Sequence, residues 1–206
     1  EYMTRRQHLH FMGIGGVSMS SLARHYHARG HRVSGCDRSE SDTVARLRRE
    51  GIEVSVGHDP SHLRGADTLV MTMAVRDDEP EVVQARARGI ATIHRMELLE
   101  RLFSEHATIA VTGSHGKSTT SGMIAHLFVE ANRDPAVQLG ATLPLLGSSM
   151  RVGDGGELIA EVDESDPGFA RLGADMAVII NLDDDHVAGE HSERRNYHAS
   201  VADLEA

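Results

Sequence analysis

Residues 108–120 read TIAVTGSHGKSTT, and this stretch constrains the fold more than any other. The apolar run Ile109, Ala110 and Val111 predicts a buried strand. It passes into Gly113, Ser114, His115, Gly116, Lys117 and Ser118, and a helical pattern follows from Thr119 to Glu130. A strand, a glycine-bearing loop and a helix N-terminus together make a phosphate site. The loop amides point at the anion, the helix dipole favours negative charge, and the lysine adds a full positive charge. A hydroxyl directly after that lysine, here Ser118, is placed to ligate Mg²⁺. The strict phosphate-loop pattern G-x-x-x-x-G-K-[ST] requires a glycine where this chain has Val111. The glycine is Gly113, so the loop is shorter.

Composition sharpens this reading. Of 21 basic residues, Lys117 is the one lysine; all the others are arginine. The chain uses arginine wherever a generic positive charge serves, and keeps a compact ammonium where phosphate is usually gripped. A net charge of -10 and an aromatic content of 3% without tryptophan exclude a general nucleic-acid or anionic-membrane partner and a base-stacking platform. Local nucleotide binding is untouched by that argument. A single cysteine, Cys36, excludes an internal disulfide, is read as excluding a cysteine-based metal site, and fits a reducing compartment. No apolar run approaches a membrane span, and the N-terminal residues lack a signal-peptide core, so a cytoplasmic protein is expected. The 14 histidines are scattered along the chain and read as mostly solvated.

The first half alternates strand and helix. Leu9 to Ile14 reads as a strand running into Gly13, Gly15 and Gly16, and a helical pattern through Met19, Leu22, Ala23 and Tyr26 ends at Gly30. Val33 to Cys36 is a second strand with Asp37 at its end. The glycines and this acid resemble a dinucleotide fingerprint whose third glycine is Ser18; a diphosphate site and a purely structural tight turn both remain open. Further elements are predicted as a helix over 42–50, strands over 52–56 and 67–75, a helix over 80–88, a strand over 91–94 and a helix over 96–103. Repeated βα units with glycine stops imply a parallel sheet with helices on both faces. Ligands bind beyond the carboxyl ends of such strands, where Gly13, Gly15, Asp37, Thr72 and Arg95 fall.

The polar joint 104–107 precedes a new sheet, so a boundary is expected near residue 106, giving domains 1–106 and 107–206. Residues 138–149 are glycine-rich without clear period and read as a loop with a short strand. Strands over 158–162 and 174–180 each run into polar clusters, Asp163 to Asp166 and Asn181 to His186, and a helix is expected from 194. A carboxylate between Glu161 and Asp166 is placed to hold Mg²⁺ opposite Ser118, and His186 to ligate a second metal or orient an acceptor. Helix caps and turns account for the same acids without chemistry.

Taken together, HFMGIGGVSMS (10–20), VSGCD (33–37), GADTLVMTMAV (65–75), IHRMELLERL (93–102), VTGSHGKSTT (111–120), AEVDESD (160–166) and NLDDDH (181–186) resemble the Mur ligases, in family order and over nearly the whole chain. The family's short loop, TG-x-x-GK-[ST], also matches where the strict pattern fails. The resemblance implies an α/β fold: a Rossmann-like parallel-sheet domain that binds a UDP-sugar, then the first part of a phosphate-loop ATPase domain. It implies ATP and Mg²⁺ as cofactors, UDP-N-acetylmuramate and L-alanine as substrates, and an amide formed through an acyl phosphate in peptidoglycan precursor synthesis. By the same resemblance Gly13, Gly15 and Gly16 hold the UDP diphosphate, with Asp37, Thr72 and Arg95 around the UDP-sugar. The loop from Gly113 through Ser114, His115, Gly116, Lys117 and Ser118 to Thr119 holds ATP. Ser118, Glu164 (alternatively Glu161) and His186 hold metal, and Lys117, Glu164 and His186 are the catalytic set.

Ser18, Ser114 and Ser118 depart mildly from the family pattern. Family members are about twice this length, so the resemblance implies a fragment that does not turn over alone, and a cut sheet edge implies a homo-oligomer or an unformed C-terminal tail. Two alternatives stay open: a ligase that recycles a tripeptide onto the same UDP-sugar, and a non-catalytic UDP-sugar or nucleotide module. An NAD dehydrogenase rests on the imperfect first fingerprint alone.

Overall fold

The computed structural model describes residues 6–72, 74–143, 148–163 and 171–182. The chain divides into two compact units, Glu1–Leu99 and Glu100–Ala206.

The first unit is built on five parallel strands in the order β3-β2-β1-β4-β5: β1 (His8–Met12), β2 (Arg32–Asp37), β3 (Glu53–Val56), β4 (Thr68–Met71) and β5 (Ala91–His94). Every residue of β1 and β4 is buried, as central parallel strands require. Four helices cross over between strands or follow them: α1 (Val17–Ala28), α2 (Asp42–Arg49), α3 (Pro80–Ala87) and α4 (Arg95–Ser104). Their starts follow local chemistry. Ser41 caps α2 by accepting from Val44 N at 3.2 Å, Pro80 opens α3, and Glu97 reaches back to His94 N at 3.0 Å at the start of α4. The division between the units falls inside α4, between Leu99 and Glu100. Strand β4 is shorter than the 67–75 expected. The chain turns after Met71, and Val75 N donates to Thr72 O at 3.1 Å.

One face of this sheet carries an apolar cluster of Met12, Cys36, Leu63, Leu69, Met71, Val82 and Ala85. Polar residues are buried in this unit as well, and some of the histidines depart from the solvated majority expected. His8, His10, His25 and His31 are all buried, as is Glu81. Burial pushes the His10 imidazole down to about 3, with His62, His8 and His58 adding repulsion. Burial also pushes the Cys36 thiol up, helped by the Glu81 carboxylate.

The second unit holds β6 (Ala107–Thr112), α5 (Lys117–Glu130), β7 (Ala136–Leu143), β8 (Ser148–Arg151), β9 (Glu157–Glu161) and β10 (Met176–Ile179), in sheet order β10-β6-β9-β7-β8. All pairs are parallel except β7 with β8. The stretch read as loop over 138–149 therefore contains the end of an eight-residue strand and the start of another, an antiparallel pair at the sheet edge. Val137, Gln138 and Leu139 are buried in succession, so both faces of β7 are covered and no alternation is written into its sequence. Val137, Leu139, Ile159 and Ala125 form the core beneath α5. Among the described residues no helix is long and apolar enough to cross a membrane.

Candidate functional site

Each unit presents a glycine loop between its first described strand and the helix that follows. In the first unit, Gly13 adopts φ 78°, a left-handed conformation, and the turn is tied to β2: Gly13 N and Ile14 N both donate to Cys36 O, at 2.8 and 3.1 Å. Gly15 N donates to Asp37 Oδ2 at 2.8 Å, and a Cβ on Gly15 would lie 2.7 Å from that oxygen. Asp37 therefore closes the loop it was expected to complement from the ribose side. Gly16 precedes α1, whose first turn holds no acidic residue and receives no side-chain cap among the described residues. Arg95 Nη1 donates to Ser18 Oγ at 2.8 Å, setting a guanidinium beside that helix start. The serine at the third glycine position thus anchors that guanidinium. Thr72 follows the end of β4, so all the expected residues of this unit lie at the carboxyl ends of its parallel strands. The arrangement offers oriented amides, a helix dipole and one guanidinium, which suits a diphosphate.

In the second unit, β6 leads through Gly113 to Gly116 into α5. Gly116 takes φ 86° as the residue before the helix, and Gly113 takes φ 137° with Asn181 O only 2.9 Å from where a Cβ would stand. Asn181 clamps the loop from the end of β10: its Oδ1 accepts from His115 N and its Nδ2 donates to His115 O, both at 3.0 Å. Lys117 folds back over the loop, with Nζ donating to Gly113 O at 2.6 Å. Ser118 Oγ donates to Glu161 Oε2 at 2.8 Å, and Gly140 N donates to the same oxygen at 2.9 Å. A Cβ on Gly140 would lie 2.6 Å from Glu161 Oε1, so the glycine in β7 makes room for the carboxylate.

These contacts test whether the residues fit a nucleotide and a hard cation. The first turn of α5 carries no acid, Lys117 reaches the loop mouth, and a hydroxyl and a carboxylate stand side by side. Oxygen donors of that kind are what Mg²⁺ takes. The fit uses Glu161, the alternative acid. Glu164 and His186 lie outside the described residues. Asn181 and Gly140 were given no role in the sequence reading; Asn181 becomes legible only once β10 is known to pair with β6.

The comparisons with known proteins agree with this geometry. A profile described as Mur ligase family, catalytic domain, matches residues 8–107, and one described as Mur ligase middle domain matches residues 111–205. A UDP-N-acetylmuramate–L-alanine ligase of Methylibium petroleiphilum is 41% identical over 181 residues, 88% of this chain and 39% of that protein. Its counterpart in Agrobacterium fabrum is 42% identical over 179 residues, 87% of this chain and 38% of the relative. The chain thus spans well under half the length of these curated relatives. Among solved structures, a UDP-N-acetylmuramate-alanine ligase of Thermotoga maritima superposes with a TM-score of 0.85 at 32% identity, over 97% of this chain and 45% of that one. A UDP-N-acetylmuramate:L-alanyl-gamma-D-glutamyl-meso-diaminopimelate ligase of Neisseria meningitides gives 0.80 at 27% identity, over 87% of this chain and 61% of that one.

Proposed function

The chain belongs to the Mur ligase family, and from that premise we propose that it forms the UDP-sugar-binding and ATP-binding part of an ADP-forming ligase. The reaction joins L-alanine to UDP-N-acetylmuramate in peptidoglycan precursor synthesis. A carboxylate oxygen of the muramoyl group attacks the γ-phosphorus of ATP, and the bond to ADP breaks. The alanine amine then attacks the acyl carbon, phosphate leaves, and the amine proton is lost. Two anions must meet in the first step, so fixed positive charge is the main requirement of the site.

The observation that carries this reading is the placement of Lys117 over the loop with the Ser118–Glu161 pair beside it. Lys117 and the amides of 113–119 hold the ATP phosphates. Ser118 and Glu161 hold Mg²⁺, with Glu164 and His186 as further ligands; the ion supplies Lewis acidity and charge neutralisation. In the first unit Gly13, Gly15 and Gly16 take the UDP diphosphate and Arg95 neutralises it, while Thr72 lines the sugar. Asp37 serves by fixing Gly15. The protein works in the cytoplasm, where both substrates are soluble.

A second reading, the tripeptide-recycling ligase, is favoured by the likeness to the Neisseria structure. Titration calorimetry with UDP-N-acetylmuramate, with NAD as control, tests what the two readings share. Heat from the UDP-sugar and none from NAD supports them; no heat from the UDP-sugar overturns the assignment of the first unit. ADP release by the whole ligase with L-alanine against the tripeptide then separates the two.

A further inference from the structure

Three side chains of the first unit that the proposed reaction does not use stand together beneath its sheet, His10 from β1, Cys36 from β2 and Glu81 from α3, and His58, from the turn after β3, contacts two of them, Cys36 and Glu81. Cys36 Sγ lies 3.2 Å from His58 Nδ1 and 3.1 Å from Glu81 Oε2, and His58 Nδ1 lies 3.5 Å from Glu81 Oε2. A zinc ion with bonds of about 2.3 Å to sulfur and about 2.0–2.2 Å to nitrogen and oxygen separates tetrahedral ligands by roughly 3.4–3.6 Å. Those three donors therefore already approximate one face of a coordination tetrahedron.

His10 is the remaining candidate donor. Its ligand atom lies within 4.8 Å of those of Cys36 and Glu81. The residue is 1% exposed, and its Nε2 is buried with no hydrogen-bond partner among the described residues. Its Nδ1 is occupied by Ser34 Oγ at 2.8 Å. Ser34 Oγ also meets His8 Nε2 at 2.8 Å, and His8 Nδ1 meets Gly65 O at 2.8 Å. A carbonyl only accepts, so His8 donates from Nδ1 and accepts at Nε2 from the Ser34 hydroxyl. Ser34 then accepts from His10 Nδ1–H, which leaves His10 Nε2 as a bare lone pair. Glu81 is held likewise: Asp59 N and His62 Nδ1 both contact Oε1 at 3.0 Å, leaving Oε2 toward Cys36 and His58. Outer partners that fix the tautomer of a histidine and the tilt of a carboxylate are typical of metal sites. His10 and His62 also line a cavity of about 420 Å³.

We propose that His10, Cys36, His58 and Glu81 bind a single Zn²⁺ ion. One thiolate, two imidazoles and one carboxylate are a borderline-soft set suited to zinc and poorly suited to magnesium. On binding, the thiol proton is released to solvent and the sulfur lone pair forms the metal bond. On this proposal a lone cysteine no longer excludes a metal site, because a mixed set needs only one thiolate. The ion ties β1, β2 and α3 together, and Cys36 is also the residue whose carbonyl holds Gly13 N and Ile14 N.

The test is titration of the chelator-stripped protein with Co²⁺, then displacement by Zn²⁺. The expected result is one Co²⁺ per chain with thiolate-to-cobalt charge transfer and the intense d–d bands of a tetrahedral ion, bleached by Zn²⁺. Cys36→Ser abolishes the charge-transfer band. His58→Gln, at a half-buried position, weakens binding by at least the roughly tenfold that even an outer partner contributes, with an unchanged far-ultraviolet dichroism spectrum. Zn²⁺ raises the melting temperature of the native protein and Mg²⁺ does not. Absence of charge transfer in the native protein, its persistence in Cys36→Ser, or unchanged affinity in His58→Gln overturns the proposal.

Discussion

Ser118 Oγ donates a 2.8 Å hydrogen bond to Glu161 Oε2, from the first turn of α5 to the last residue of β9. The two meet because β6 and β9 are parallel neighbours with Val111 opposite Glu161, so the residue ending one strand faces the helix that follows the other. Glu161→Gln keeps an acceptor for Ser118 but removes the charge. A hydrogen bond to a charged group contributes about 1.5–3 kcal/mol. MgATP affinity is therefore expected to fall by about 10- to 100-fold, while affinity for ATP in chelator changes little. Nucleotide titrations with and without Mg²⁺ check this, and equal losses in both would sink the role given to Glu161.

Lys117 Nζ sits 2.6 Å from Gly113 O, a tuck that a compact ammonium makes and a planar guanidinium does not. Lys117→Arg is therefore expected to fail almost as fully as Lys117→Met, although arginine serves at every other basic position. Fluorescent-nucleotide binding should weaken at least about tenfold in both, a loss of roughly 1.4 kcal/mol or more. Retention of affinity in Lys117→Arg would show that charge alone is what the loop requires.

Two glycines of the first loop resist substitution for different reasons. Gly13→Ala meets nothing within 4 Å but must hold φ 78°, at a cost of about 1–2 kcal/mol in stability. Gly15→Ala has an ordinary backbone but drives its Cβ against Asp37 Oδ2, the end of a side chain that can swing away. It should lower UDP-sugar binding more than it lowers the urea midpoint, and Gly13→Ala the reverse. Paired denaturation and calorimetry curves decide the order.

Much of this was legible beforehand. The strand–loop–helix of the phosphate site and the alternation of the first unit depend on local patterns, because glycine stops and apolar runs are read over a few residues. What escaped depends on pairing at a distance. Strand β7 buries Val137, Gln138 and Leu139 alike and so leaves no period-two signal. That Glu161 meets Ser118 depends on which residue of β9 ends opposite α5, a pairing the sequence does not display. His10, Cys36 and Glu81 come together from three separate elements, with half-buried His58 against two of them, and nothing in their spacing announces it.

Acid should expose that cluster. His10 titrates near 3 when folded against an ordinary value of 6.5. Below pH 6.5 the unfolded chain takes up a proton that the folded chain refuses, so stability is complete above that pH and falls as pH drops toward 3. The loss by pH 5 is about 2 kcal/mol from this residue. His8, also lowered by burial, acts in the same direction. Urea midpoints measured in chelator at pH 7 and pH 5 should separate, and His10→Asn, which keeps a donor toward Ser34, should narrow the gap. An unchanged gap in that variant would remove His10 as its cause.

Asn181 offers the sharpest separation of shape from charge. Its amide satisfies both backbone groups of His115, accepting from N–H through Oδ1 and donating to the carbonyl through Nδ2. Asn181→Ala removes both partners and loosens the loop. Two neutral hydrogen bonds at an exposed position contribute about 0.5–1.5 kcal/mol each, so ATP affinity should fall between about 5- and 150-fold. Asn181→Asp keeps the acceptor for His115 N, and by hydrogen-bond count should be the milder change. It also sets a negative charge against His115 O and beside the glycine loop, where Asn181 Oδ1 lies 3.2 Å from the Cβ position of Gly113. Repulsion between that carboxylate and the nucleotide adds to the lost donor. Asn181→Asp is therefore expected to bind ATP more weakly than Asn181→Ala, with the difference shrinking as salt is raised. The opposite order would mean that the clamp matters for geometry alone and that the field at the loop mouth is set by other residues.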